Sequence, residues 1–69
     1  MPLTMAKTGE ENVVKKIGGK PEVRQFLENL GFVAGTQIAV LSENAGNVIV
    51  KVKESRVAIS REMAMKIMV

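Results

Sequence analysis

The run Pro21-Glu22-Val23-Arg24-Gln25-Phe26-Leu27-Glu28-Asn29-Leu30-Gly31-Phe32-Val33-Ala34-Gly35 constrains this chain more tightly than any other part of it. Val23, Phe26, Leu27 and Leu30 recur at i, i+3, i+4 and i+7, which predicts one α-helix over about residues 21–30 with a single apolar stripe. Pro21 suits the first helical position, where its missing N–H has no partner to lose, and Glu22 complements the positive end of the dipole. Gly31 can adopt the left-handed conformation that closes a helix, and Phe32 is then placed to fold back on Leu27. A side chain at position 31 should cost on the order of 1 kcal/mol or more. A short helix pinned at both ends, with a strand close behind it, is therefore fixed locally.

The rest of the composition excludes more than it selects. Sixty-nine residues are expected to form one domain, 1–69, whose core supplies only about 3–5 kcal/mol. Cysteine and histidine are absent, and the seven acidic residues are all glutamate. Thiol nucleophiles, thiolate metal sites, histidine bases and the two-histidine ferrous site are excluded together. No catalytic residue, metal ligand, cofactor or small-molecule substrate is expected. Gly18-Gly19-Lys20 resembles part of a phosphate loop, but Pro21 stands where the hydroxyl residue belongs, so a strand end before a proline-started helix is the better reading. Met63-Ala64-Met65 could attract a soft cuprous ion, although methionine more commonly fills core space. The net charge of +3 permits an anionic partner without demanding one, and two phenylalanines as the only aromatics argue against base stacking. No apolar run is long enough to cross a bilayer and no secretory leader is visible, so a cytoplasmic protein is expected, peripheral at the inner membrane only through a partner.

Period-two patterning fills most of the remainder. Residues 1–9 read as a lead-in whose Leu3 and Met5 alternate towards the core. Residues 12–17 are a first strand with Val13 and Ile17 on one face, Val14 and Lys16 on the other. Residues 36–42, 47–53 and 56–60 are strands with Ile38, Val40, Val48, Val50, Val52, Val57 and Ile59 inward. Ser60 can cap a helical turn near 61–65, and Ile67 to Val69 make a last strand. A two-residue turn at Glu54-Ser55 would set Lys53 against Arg56, Val52 against Val57 and Val50 against Ile59. A three-residue loop at Asn44-Ala45-Gly46, with Gly46 in the left-handed bulge position, would set Ser42 against Val48, Leu41 against Ile49, Ala39 beside Lys51, Val40 against Val50 and Ile38 against Val52. Both turns agree on one inner face. The expectation is a mainly β fold: a small five-stranded SH3-like barrel with the helix in the connection between strands 1 and 2.

The chain also resembles a known family. Pro2-Leu3, the strand Val13 to Ile17, the stretch Arg24-x-x-Leu27-x-x-Leu30-Gly31-Phe32-x-x-Gly35-x-x-Ile38, and the tail Ala58-Ile59-Ser60-Arg61 through Ala64 to Ile67 are similar to FeoA, the small component of bacterial ferrous-iron uptake. The resemblance covers nearly the whole chain. It implies an SH3-like barrel and a role as accessory or regulator of FeoB, a membrane transporter with a cytoplasmic GTPase domain. It also implies a glycine just before the fourth strand, where this chain has Glu54-Ser55. The same barrel occurs in iron-dependent repressors, so a detached sensor domain is a further reading; it would need a separate DNA-binding chain.

By these registers the outer face carries the candidate partner-binding residues. Leu41 and Ile49 form an apolar centre, and Lys51, Lys53 and Arg56 a basic rim. Such a surface suits an acidic protein partner, with the transporter's cytoplasmic part implied by the resemblance, although the N-terminal segment or self-association could also cover the apolar pair. Arg24 and Glu28 on the exposed side of the helix are a second candidate surface, or simply an i, i+4 pair. Leu27, Leu30, Gly31, Phe32, Gly35 and Gly46 are read as structural. The competing function is a nucleic-acid binder using Lys15, Lys16, Lys51, Lys53 and Arg56 on phosphates, which steep salt dependence would reveal.

Overall fold

Helix α1 spans Pro21–Asn29 in the computed structural model, which describes residues 1–69, and Leu30 is its C-terminal cap. Pro21 occupies the first turn, as its missing donor dictates. At the exit the Gly31 N–H donates to the Glu28 carbonyl at 2.9 Å and the Phe32 N–H to the Leu27 carbonyl at 3.0 Å. These two bonds are the Schellman closure, with Gly31 at φ +110°. Leu27 and Phe32 are both fully buried in one core cluster. The expected stripe is narrower than its spacing implied, because Phe26 is 47% exposed. Val23 and Leu30, half-buried, flank Leu27 four residues before and three after it, whereas Phe26 lies about 100° around the axis.

The expected first strand is two strands. β1 (Glu11–Val13) and β2 (Lys16–Ile17) are separated by a corner at Val14-Lys15. The Val14 N–H donates to the Thr36 carbonyl at 2.9 Å, while the Lys15 N–H donates to the Met68 carbonyl at 2.7 Å. Adjacent residues thus bond to different sheets, and the chain passes from one to the other. Alternation across 12–17 fails for that reason: Val14 and Ile17 are buried and Val13 is 46% exposed. Met5 also departs from the expected pattern. Residues Leu3–Met5 form a 3-10 turn, which buries Leu3 and leaves Met5 in solvent.

Strands β3 (Gln37–Asn44), β4 (Asn47–Val52) and β5 (Ser55–Ser60) complete a four-stranded antiparallel sheet in the order β1-β3-β4-β5. Helix α2 (Arg61–Ala64) then turns the chain into β6 (Ile67–Met68), which pairs with β2 as a second, two-stranded sheet. The Ser60 hydroxyl caps α2 as expected, accepting from the Met63 N–H at 3.1 Å. The fold is mainly β, with six strands in two sheets rather than five in one. The core between them draws on every layer: Leu3, Val14, Ile17, Leu27, Phe32, the inner residues of β3 to β5, Ala64, Ile67 and Val69.

Both hairpins differ from the expected turns without disturbing the inner face. The β3–β4 turn has two residues, Ala45 at φ +50° and Gly46 at φ +82°, a type I′ shape. The extra residue appears instead as a bulge at Leu41. Ile38↔Val52, Ala39↔Lys51 and Val40↔Val50 hold, but beyond the bulge Ser42, not Leu41, is paired with Ile49, and Glu43 replaces Ser42 opposite Val48. The β4–β5 turn is Lys53-Glu54, one residue earlier than expected. The register moves by two residues: Val50 faces Val57, Val48 faces Ile59, and Lys51 rather than Lys53 faces Arg56. An even shift changes partners but not faces, so Val48, Val50, Val52 and Ile59 are buried as expected, with Val57 half-buried.

Candidate partner-binding surface

The outer face of the four-stranded sheet follows from these registers. One cross-strand row runs Glu11, Ala39, Lys51, Arg56 from β1 to β5. The next contains Ile49 and Ala58, with Ser42 and the bulged Leu41 beside them. Leu41 and Ile49 are half-buried and Ala58 is exposed. Lys51, Lys53 and Arg56 are exposed and lack any ion-pair partner, since the single salt bridge joins Arg61 to Glu43 at 2.7 Å. Like charges at Lys51 and Arg56 stand directly opposite, an unfavourable cross-strand pair by a few tenths of a kcal/mol at this exposure.

Ala39 departs from its expected outward exposure, being only 7% accessible between β1 and β4. Its small side chain forms part of the floor of an open cleft of about 540 Å³ bounded by Glu11, Thr36, Gln37, Lys51 and Lys53. The lining is polar and charged, unlike the apolar cavities that enclose small organic ligands. The cleft therefore offers a concave, predominantly basic margin to the outer face, with Glu11 as its one acid.

Lys53 also has φ +57°, in the left-handed region that disfavours a side chain by about 1–2 kcal/mol, a strain that Ala45 shares in the β3–β4 turn. This lysine is itself a residue of the β4–β5 turn and also lines the cleft. Glu11 and the strain at Lys53 were not found by sequence reasoning. Glu11 joins the row only through β1–β3 pairing, which no turn specifies, and the strain needed the turn to be located one residue earlier.

The second candidate surface is not drawn together by an ion pair. Arg24 and Glu28 are both exposed on α1 and unpaired; Gln25 Nε2 instead donates to Asn29 Oδ1 at 3.1 Å one helical turn away. The five cations of the nucleic-acid reading are also divided. Lys51, Lys53 and Arg56 belong to the four-stranded sheet and its turn, whereas Lys15 and Lys16 lie at the corner and on β2 of the other sheet. No three carboxylates converge in a metal-binding group, and no helix is long and apolar enough to cross a membrane.

The FeoA domain model matches residues 1–69. A protein of Methanocaldococcus jannaschii assigned as Fe(2+) transport protein A is 44% identical over 68 residues, spanning 99% of this chain and 83% of its own length. The crystal structure of an iron uptake regulatory protein, FeoA, superposes with a TM-score of 0.87 at 32% identity, over 97% of this chain and 91% of that one. FeoA of Stenotrophomonas maltophilia, a prokaryotic SH3 domain protein crystallised with zinc, shares the fold at a TM-score of 0.86 and 20% identity, over 99% of this chain and 87% of that one.

Proposed function

Because the chain belongs to the FeoA family, we propose that it is a non-enzymatic accessory module of ferrous-iron uptake that docks on the cytoplasmic part of an FeoB-type transporter. The iron is the transporter's cargo, and this chain contributes shape and charge. The observation that carries the reading is the outer face of β3, β4 and β5: a half-buried aliphatic centre at Leu41 and Ile49, bordered by the unpaired cations Lys51, Lys53 and Arg56. Interfaces of this kind take their specificity and association rate from complementary potential, which here selects an acidic partner surface. Placement in the cytoplasm, at the membrane only through the partner, follows from the same reading, as does treatment of residues 1–69 as one functional domain.

The test is a chemical-shift titration of labelled protein with the isolated cytoplasmic part of the transporter. Shifts are expected at Ile49, Lys51, Lys53 and Arg56. Reversing Lys51 and Lys53 to glutamate together should weaken binding at least about tenfold while leaving the fold intact. Unchanged affinity would remove this surface from the proposal.

A further inference from the structure

Strand β5 is the outermost strand of its sheet, paired with β4 alone. The phase of that pairing identifies which backbone groups face away. The Arg61 N–H donates to the Gly46 carbonyl at 2.9 Å, just beyond the Asn47↔Ser60 pair. In an antiparallel ladder, hydrogen-bonded pairs recur every second residue, so Val48–Ile59, Val50–Val57 and Val52–Ser55 are the bonded pairs. The N–H and C=O groups of Arg56 and Ala58 therefore point to the open edge. No turn, loop, cap or side-chain bond reaches either residue. Both residues are exposed.

Proteins ordinarily protect such an edge with charged side chains, proline, inward charge, a bulge or a covering segment. Of these β5 has only the one charge of Arg56: its six residues are Ser-Arg-Val-Ala-Ile-Ser in unbroken register. The other sheet shows the contrast. β6 is bridged on its free side by Pro2, and the Val69 N–H donates to the Met1 carbonyl at 2.8 Å.

We infer that the β5 edge receives an extended acidic segment of a partner protein as an added strand, with a carboxylate side chain opposite Arg56 and an apolar one opposite Ala58. The charge pattern selects this occupant. Lys51 and Arg56 repel across β4 and β5, and a carboxylate on the far side of Arg56 would offset that repulsion. Ala58 ends the row that begins at Leu41 and Ile49, so its small side chain leaves room for a larger apolar neighbour. Self-pairing of β5 with the β5 of a second copy supplies neither feature. Antiparallel self-pairing about Ala58 sets Arg56 against Ser60, and self-pairing about Val57 sets it against Ala58. Main-chain bonds would give affinity and the alternating side chains specificity, as in other strand additions. The identity of the partner rests on the docking proposal above; the open edge does not.

Amide hydrogen exchange read by NMR tests the inference. In the free protein Arg56 and Ala58 should exchange fast, and Val57 and Ile59 slowly. On saturation with the transporter's cytoplasmic part, Arg56 and Ala58 should gain at least about tenfold protection. Ala58→Pro deletes an outward N–H without touching the β4 ladder, and should abolish that gain while shift dispersion is retained. Arg56→Glu keeps the edge and should weaken binding at least about tenfold, which supplies a readout should the proline variant not fold. A complex that forms with Arg56 and Ala58 still fast would overturn strand addition and leave the docking proposal standing. If no complex forms, the docking proposal fails instead, and the peptide acetyl-Thr-Glu-Thr-Val-Thr-amide, whose Glu and Val lie two apart on one face, becomes the probe at millimolar concentration. Protection by the peptide upholds the edge assignment, and none overturns it. Protection that grows with protein concentration alone assigns the edge to a second copy and overturns the acidic partner.

Discussion

Two residues flank Val52, one in space and one in sequence, and both hold a positive φ: Gly31 at the exit of α1 and Lys53 in the β4–β5 turn. At Gly31 every requirement points the same way. The helix closure needs the left-handed region, and a Cβ built there would lie 2.9 Å from Val52 Cγ1. At Lys53 the backbone asks for glycine, yet an exposed lysine stands there beside a basic cleft. The first position meets both demands with one residue. The second keeps a local strain, as Ala45 does at φ +50° in the β3–β4 turn, so only its charge beside the cleft sets it apart.

The largest effect that could break this contrast is at the helix exit. Gly31→Ala combines left-handed strain of about 1–2 kcal/mol with overpacking against a core valine of about 1–3 kcal/mol. A loss of about 3 kcal/mol in urea unfolding is expected, most of what a core this size supplies. Pairing it with Val52→Ala sharpens the result, because the truncated valine yields space to the new methyl. The double variant should be less destabilised than the sum of the singles by about 1 kcal/mol. Strict additivity would mean that the Gly31–Val52 approach is not what demands glycine.

The same contrast explains how much could be read in advance. The helix, its Schellman exit and the Ser60 cap were legible because each depends on residues close in sequence. The inner faces of β3, β4 and β5 were legible because parity survives an even register shift, and the β4–β5 pairing did slip by two. In β3 the bulge at Leu41 compensated for a turn one residue shorter, so Ile38 and Val40 kept their partners. The corner at Val14-Lys15 was not legible. It is set by acceptors on Thr36 and Met68, distant in sequence, and nothing in residues 12–17 names them. The outer face suffered most, because cross-strand neighbours there depend on register itself. Lys51 took the place of Lys53 opposite Arg56, and Glu11 arrived unannounced.

A smaller and more informative effect is expected at the turn. Lys53→Gly should relieve the strain while adding some freedom to the unfolded chain, for a net gain of about 0.5–1 kcal/mol. If the lysine is kept for docking, the same variant should bind the transporter's cytoplasmic part less tightly, by about threefold to tenfold. Stability and affinity thus move in opposite directions for one substitution. A variant that gains stability and keeps full affinity would reduce Lys53 to an ordinary imperfect turn residue, and Lys51 and Arg56 would then carry the charge complementarity without it.

The smallest effect concerns the one ion pair. Arg61 and Glu43 meet at 2.7 Å and join α2 to the end of β3, but their side chains are 56% and 46% exposed. At that exposure solvent screens the attraction, and Glu43→Gln should cost only a few tenths of a kcal/mol, vanishing near 1 M salt. The Lys51–Arg56 repulsion is of similar size and opposite sign, so these two pairs together contribute close to nothing to the fold. A loss above about 1 kcal/mol from Glu43→Gln, persisting in high salt, would show that the pair holds α2 in place. The near-cancellation expected here is what leaves Lys51, Lys53 and Arg56 available to a partner: their removal changes what the sheet can attract far more than whether the sheet forms.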